Sequence, residues 1–220
     1  MTDKFLQTFE NSMNKYRFLG WSWCMWSSVG FSVLALTLAL LCPSAPYKWF
    51  CFAGMAFSTL GDWLLSPFTP LRRHFGDNML LVGGSAFAVA HCFYAFGFYK
   101  KALAQGGLHF SARICFGLIL TLAVVGLSVA NAKNKKPNWA FTAATMLYGG
   151  FICLNCSMIF GSAVASGTLG AWLTVLGAAL FYASDAILLL GAVGPTKVKY
   201  YDAWIWITYP VAQALLVCFA

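Results

Sequence analysis

Two aspartates and a histidine stand inside runs of residues that otherwise suit hydrocarbon. Asp62 lies in FSTLGDWLL, His91 in GGSAFAVAHCFY and Asp185 in GAALFYASDAILLL. A carboxylate at the centre of a membrane helix costs roughly 2.5–3.5 kcal/mol on insertion scales, so such a group usually has a partner or a task. Two carboxyls and an imidazole in a low-dielectric site form an acid–base set, because one acid can hold its proton while the other stays ionised. The competing reading is structural, an Asp–His or Asp–Tyr pair that only ties helices together. Two separate acids plus an imidazole at compatible depths favour chemistry.

Helical spacing places other polar groups beside these three. Gly83, Phe87, His91, Tyr94 and Phe98 recur at intervals of three or four and so share one face of a helix. Gly170, Thr174, Gly177, Phe181 and Ser184/Asp185 make a second such stripe, and Met55, Ser58, Asp62 and Leu65 a third. Near the C-terminal end, Trp206, Tyr209 and Gln213 share a face, with Pro210 loosening the backbone beside them. Tyr148 and Asn155, seven residues apart, are further candidates for binding a substrate.

The elements that must position these groups are membrane helices. Of 220 residues 60% are hydrophobic and 9% charged, with a mean hydropathy of +0.73. Soluble domains carry about 25% charged residues, so little of this chain is left for one. A hydrocarbon layer about 30 Å thick takes about 20 apolar residues in helical form. Seven runs meet or approach that length: 21–41, 47–65, 79–99, 110–130, 139–160, 169–193 and 203–220. Breakers such as Pro43, Pro46, Pro67, Pro70, Gly106-Gly107, Pro137 and Gly194-Pro195 separate most of them. The expected fold is therefore all-α, a polytopic transmembrane bundle of seven spans. It comprises a polar segment over 1–20, suited to an interfacial helix, and a single helical domain over 21–220. No cleavable signal peptide is expected, and the first span reads as a signal anchor.

The net charge of +8 does not imply nucleic acid, because the cations occupy short loops between apolar runs. Ten of the fourteen (Lys4, Lys15, Arg17, Arg72, Arg73, Lys133, Lys135, Lys136, Lys197 and Lys199) fall on the N-terminal side of a seven-span bundle. The positive-inside rule then puts the N terminus in the cytosol and the C terminus outside. At 1.5 Å per residue, His91 stands about 18 Å from the cytosolic side, Asp185 about 12 Å from the end of its run and Tyr209 about 9 Å into the last. Asp62 is near the cytosolic end of the second run, so all four are expected to converge in one half of the bundle.

The eight cysteines lie within or beside apolar runs, which argues against a disulfide framework, and the Cys153/Cys156 pair reads as two small buried side chains. HExxH, GxSxG, Walker and dinucleotide-binding patterns are absent from the sequence. A His/Asp/Asp metal site is conceivable from ligand type. Nothing in the spacing singles it out, and no metal or cofactor is expected.

Taken in order, GDWLL, GGSAFAVAHCFY, ASDAILLL and TYPVAQALL resemble the YhhN-like lysoplasmalogenase family from about residue 57 to the end. The family usually has eight spans, against the seven read here, and an early Lys-Pro pair that this chain lacks. The resemblance implies a membrane enzyme, of the endoplasmic reticulum if eukaryotic. Such an enzyme cleaves the vinyl ether bond of lysoplasmalogens to a fatty aldehyde and glycerophosphocholine or glycerophosphoethanolamine. It also implies Asp62, His91 and Asp185 as catalytic positions, with Tyr94, Ser184, Tyr209 and Gln213 around them. A lysophospholipid would enter from the bilayer through a cleft between helices, its headgroup at the cytosolic face. The alternative from the residues alone is a proton-coupled or small-molecule transporter using the same acids. A non-catalytic seven-helix receptor would need a pocket but no ionisable pair.

Overall fold

Hydrophobic length marks where the long helices form, and the computed structural model places them close to the apolar runs. It describes residues 2–18, 21–66, 69–107, 110–196 and 198–219. Among these, the elements are α1 (Thr2–Lys15), α2 (Trp23–Leu41), α3 (Tyr47–Leu65), α4 (Arg72–Phe75), α5 (Met79–Ala104), α6 (Phe110–Ala132), α7 (Trp139–Ser166), α8 (Leu169–Val193) and α9 (Tyr201–Phe219). A two-residue antiparallel pairing, β1 (Arg17–Phe18) with β2 (Trp21–Ser22), joins α1 to α2. The expected breaker Pro67, and Lys197 of the charge count, lie outside the described residues, as do the side chains of Arg17, Trp21 and Arg72.

Capping groups set several of the boundaries. Ser22, Asn138 and Thr168 each accept a backbone N–H from the first turn of α2, α7 and α8. Gly167 ends α7 at φ +64°, a conformation that favours glycine. At the start of α9 the donor Ala203 N–H is met by Glu10 of α1 (3.4 Å). That bond, with buried Leu6 and Met13, seats the amphipathic N-terminal helix against the bundle.

Six helices, α2, α3, α5, α7, α8 and α9, close into a ring in which each packs on the next and α9 returns to α2. The sixth of the most apolar helices, α6, stands outside this ring against α7 and α8, with only 11% of its most apolar window buried. Lipid is the solvent here, so the most hydrocarbon-like helix is also the most exposed.

The span count differs from the expected seven. Among the described residues six helices are long and apolar enough to cross a membrane, and α3 is not among them. Its 19 residues suffice in length, but Gly54, Ser58, Gly61 and Asp62 line its buried face and lower its apolarity. Those same residues let α3 and α5 approach closely. A Cβ on Gly54 would fall 2.8 Å from the Tyr94 ring, and one on Gly61 would fall 2.5 Å from Phe87. Each glycine of α3 thus receives an aromatic ring of α5, in antiparallel register.

This packing carries a direct expectation. Gly61→Ala should overpack against Phe87 and cost about 1–3 kcal/mol, read as a lower midpoint of thermal unfolding in detergent. Gly30→Ala, whose Cβ would meet nothing within 4 Å, should leave the midpoint near wild type.

Candidate active site

Each helix of the ring sends at least one polar side chain to a common region. Asp62 of α3 is held by two hydroxyls, Ser28 from α2 and Tyr209 from α9 (2.9 Å), both donating to Oδ2. Asp185 of α8 accepts from Tyr148 of α7 (2.8 Å). His91 of α5 is fully buried and brings Nε2 to 3.5 Å from Asp185 Oδ2, without the alignment of a hydrogen bond. Its Nδ1 faces Asn155 Nδ2 of α7 at 3.2 Å. In that amide orientation Nδ1 accepts, so the ring proton sits on Nε2, toward Asp185.

Aromatic rings join the two acid corners. Phe181 of α8 packs edge-on between the His91 ring (4.8 Å between centroids) and the Tyr209 ring (5.4 Å). The path from Asp62 through Tyr209, Phe181 and His91 to Asp185 is therefore continuous. Both acids are almost entirely shielded, Asp62 at 8% and Asp185 at 5% exposure. Unpaired carboxylates in such surroundings would be costly, and the hydroxyl donors are what make the burial tolerable.

The remaining expected residues divide into two sets. Tyr94 and Gln213 pair with each other (3.1 Å), with Met55 Sδ 3.6 Å from the Tyr94 hydroxyl. They stand beyond the acids along α5 and α9. Ser184 is buried one residue before Asp185 and joins none of these hydrogen bonds. Sequence reasoning missed Ser28. Its signal was there: Ser28 and Ser32, one turn apart in an otherwise apolar run, face α3, where Ser32 meets Thr59 at 2.8 Å. It also left Phe181 as a stripe residue rather than the bridge between the acids.

A cavity of about 300 Å³ lies against this region. Leu65 of α3, Leu80 and Gly84 of α5, Thr145 and Tyr148 of α7, and Leu188 of α8 contribute to its wall. Tyr148, the donor to Asp185, is part of that wall. So is Phe87, which packs on Tyr209, the donor to Asp62 (6.2 Å between rings). Asp185 thus stands one aromatic side chain behind the cavity, and Asp62 two.

Among the described residues no three His, Cys, Asp or Glu side chains gather as metal ligands, and all eight cysteines are free thiols. The constellation is one of proton donors and acceptors in a dry setting, fit for acid–base work on a molecule that reaches the bundle interior. No curated protein and no solved structure matches the chain. The family model described as YhhN family matches residues 25–219, which takes in the ring from the first turn of α2 onward and every residue of the acid cluster. The chain belongs to the YhhN family, the family of the lysoplasmalogenases.

Proposed function

We propose that the chain is a membrane hydrolase that cleaves the alkenyl ether bond of lysoplasmalogens, releasing a fatty aldehyde and the glycerophospho-alcohol. Family membership supports a lysoplasmalogenase-type function in a membrane. The observation that carries the finer reading is the convergence of Asp62 and Asp185 from separate helices, each bonded to a tyrosine and linked through His91 and Phe181.

The reaction asks for those groups. A proton is transferred to the alkenyl carbon distal to oxygen, leaving an oxocarbenium ion. Water adds to that ion, and the resulting hemiacetal collapses to aldehyde and alcohol. One carboxyl must therefore enter protonated, and the other must be ionised to stabilise the cation, much as paired carboxyls serve glycoside hydrolysis. His91, buried against Asp185, orients that carboxyl and passes a proton to or from the attacking water. Tyr148 and Tyr209 hold the two acids in place. The loops at the end of the bundle where α5 and α7 begin carry Arg73, Lys133, Lys135, Lys136 and Lys199, cations that suit a phosphodiester headgroup.

Purified protein should release aldehyde from a 1-alkenyl lysophosphocholine and leave an ester-linked lysophosphocholine intact. Asp62→Asn and Asp185→Asn should each lower that release about 10²-fold or more while remaining monodisperse and helical. Full activity in both variants would remove the assignment.

Three further measurements set this reading against its rivals. The pH–rate profile should be bell-shaped, because one acid must be protonated and the other ionised. Chelators should not change the rate, whereas loss on chelation with recovery on adding a divalent cation would point to a metal site instead. Proton or solute flux into liposomes from a preparation that releases no aldehyde would favour the transporter.

A further inference from the structure

The cavity between α5 and α7 differs in chemistry from the acids behind it. Its wall is hydrocarbon from four helices, and the polar side chains on it are only Ser85, Thr145 and Tyr148. Leu81, Ser85 and Leu147 at its rim are exposed on the outer surfaces of α5 and α7. The cavity therefore opens sideways, through the face that meets lipid, and offers a volume within the roughly 300–1,000 Å³ range of small-molecule sites. Its wall includes Tyr148, the donor to Asp185, and Phe87, which packs on Tyr209, the donor to Asp62.

Two adjacent glycines show how the space is kept. A Cβ on Gly83 would fall 2.5 Å from Leu65, so that glycine is required where α5 packs on α3. A Cβ on Gly84 would meet nothing within 4 Å. Glycine is a poor helix former, and close packing explains the first of the pair but not the second. Gly84 is on the cavity wall, so any side chain there would stand inside the cavity.

Resting on the hydrolase reading above, we propose that this cavity holds the hydrocarbon chain of the lysolipid substrate, admitted sideways from the bilayer, and that Gly84 keeps the room for it. The bond to be cleaved adjoins that chain. A chain seated here brings its first carbons to Tyr148 and Phe87, beside the acids. The occupant is accordingly the chain of the molecule being cleaved, rather than that of a resident phospholipid.

The test uses the full chain in nanodiscs and two readouts. The first is labelling by a 1-alkyl lysophosphocholine, whose saturated ether cannot be protonated at carbon, carrying a diazirine at the end of its chain. Irradiation should mark peptides containing residues 80–88 or 144–151, and unlabelled 1-alkyl lysophosphocholine should compete while diacyl phosphocholine of the same chain length should not. Labelling confined to other helices, or equal competition by the diacyl lipid, overturns the proposal. The second readout is aldehyde release from alkenyl lysophosphocholines of graded chain length. Gly84→Leu should lower the ratio of long-chain to short-chain kcat/KM at least tenfold, with Gly84→Ala intermediate. An unchanged ratio in Gly84→Leu overturns the proposal while leaving the hydrolase reading intact. If the wild-type protein is labelled as expected yet releases no aldehyde, the cavity binds a lysolipid chain but the hydrolase reading fails, and the assignment of that chain to a substrate is overturned with it.

Discussion

A buried carboxyl in a membrane bundle must find hydrogen-bond donors within the protein, because neither lipid nor bulk water supplies them. This chain has two, and the way they are satisfied organises the ring. Asp62 draws a hydroxyl from α2 and another from α9; Asp185 draws one from α7 and stands against the imidazole of α5. With the acids themselves on α3 and α8, all six helices of the ring are committed to this one cluster. Among the described helices long and apolar enough to cross a membrane, α6 alone contributes nothing to it, and α6 lies outside the ring.

Apolarity differs between the two helices that carry the acids. Along α3 the inward face is glycine, serine and aspartate, and its aromatic partners come from α5, so α3 is the least hydrocarbon-like of the ring, whereas α8 holds Asp185 in an otherwise strongly apolar helix. Tyr94 and Phe87 fill the space that Gly54 and Gly61 of α3 leave open, and Phe181 packs between His91 and Tyr209. The result is a core in which polar groups are few, shielded and tied to one another. Donors in such a setting are preorganised, and charge developing on a bound molecule would be felt strongly.

Much of this was legible in the chain itself. Helix rise is linear, so the depths of Asp62, His91, Asp185 and Tyr209 follow from counting along apolar runs, and helical periodicity put His91 and Asp185 on inward stripes. Which pairs touch was not legible. That Asp185 would meet Tyr148 and His91, while Asp62 would meet Tyr209, depends on the order of helices around the ring, and hydropathy carries no record of neighbours. Ser28 escaped notice because a serine in an apolar helix commonly bonds its own backbone, as Ser27 does to Cys24 here. The count of seven runs against six candidate spans differs for a related reason: α3 has the length of a span, but its inward polar face lowers its mean hydropathy below that of the other six. The cavity was outside the reach of sequence altogether, since the difference between Gly83 and Gly84 exists only once α3 is in place beside them.

We propose that Asp62 and Asp185 act as one unit on one molecule. The direct measurement is the rate of aldehyde release by the double variant Asp62→Asn/Asp185→Asn set beside each single variant. Residues that work together show strongly non-additive losses, so the double variant should be no more than a few-fold slower than the slower single. Losses that multiply across the two positions, or a single variant that keeps the wild-type rate, would contradict it.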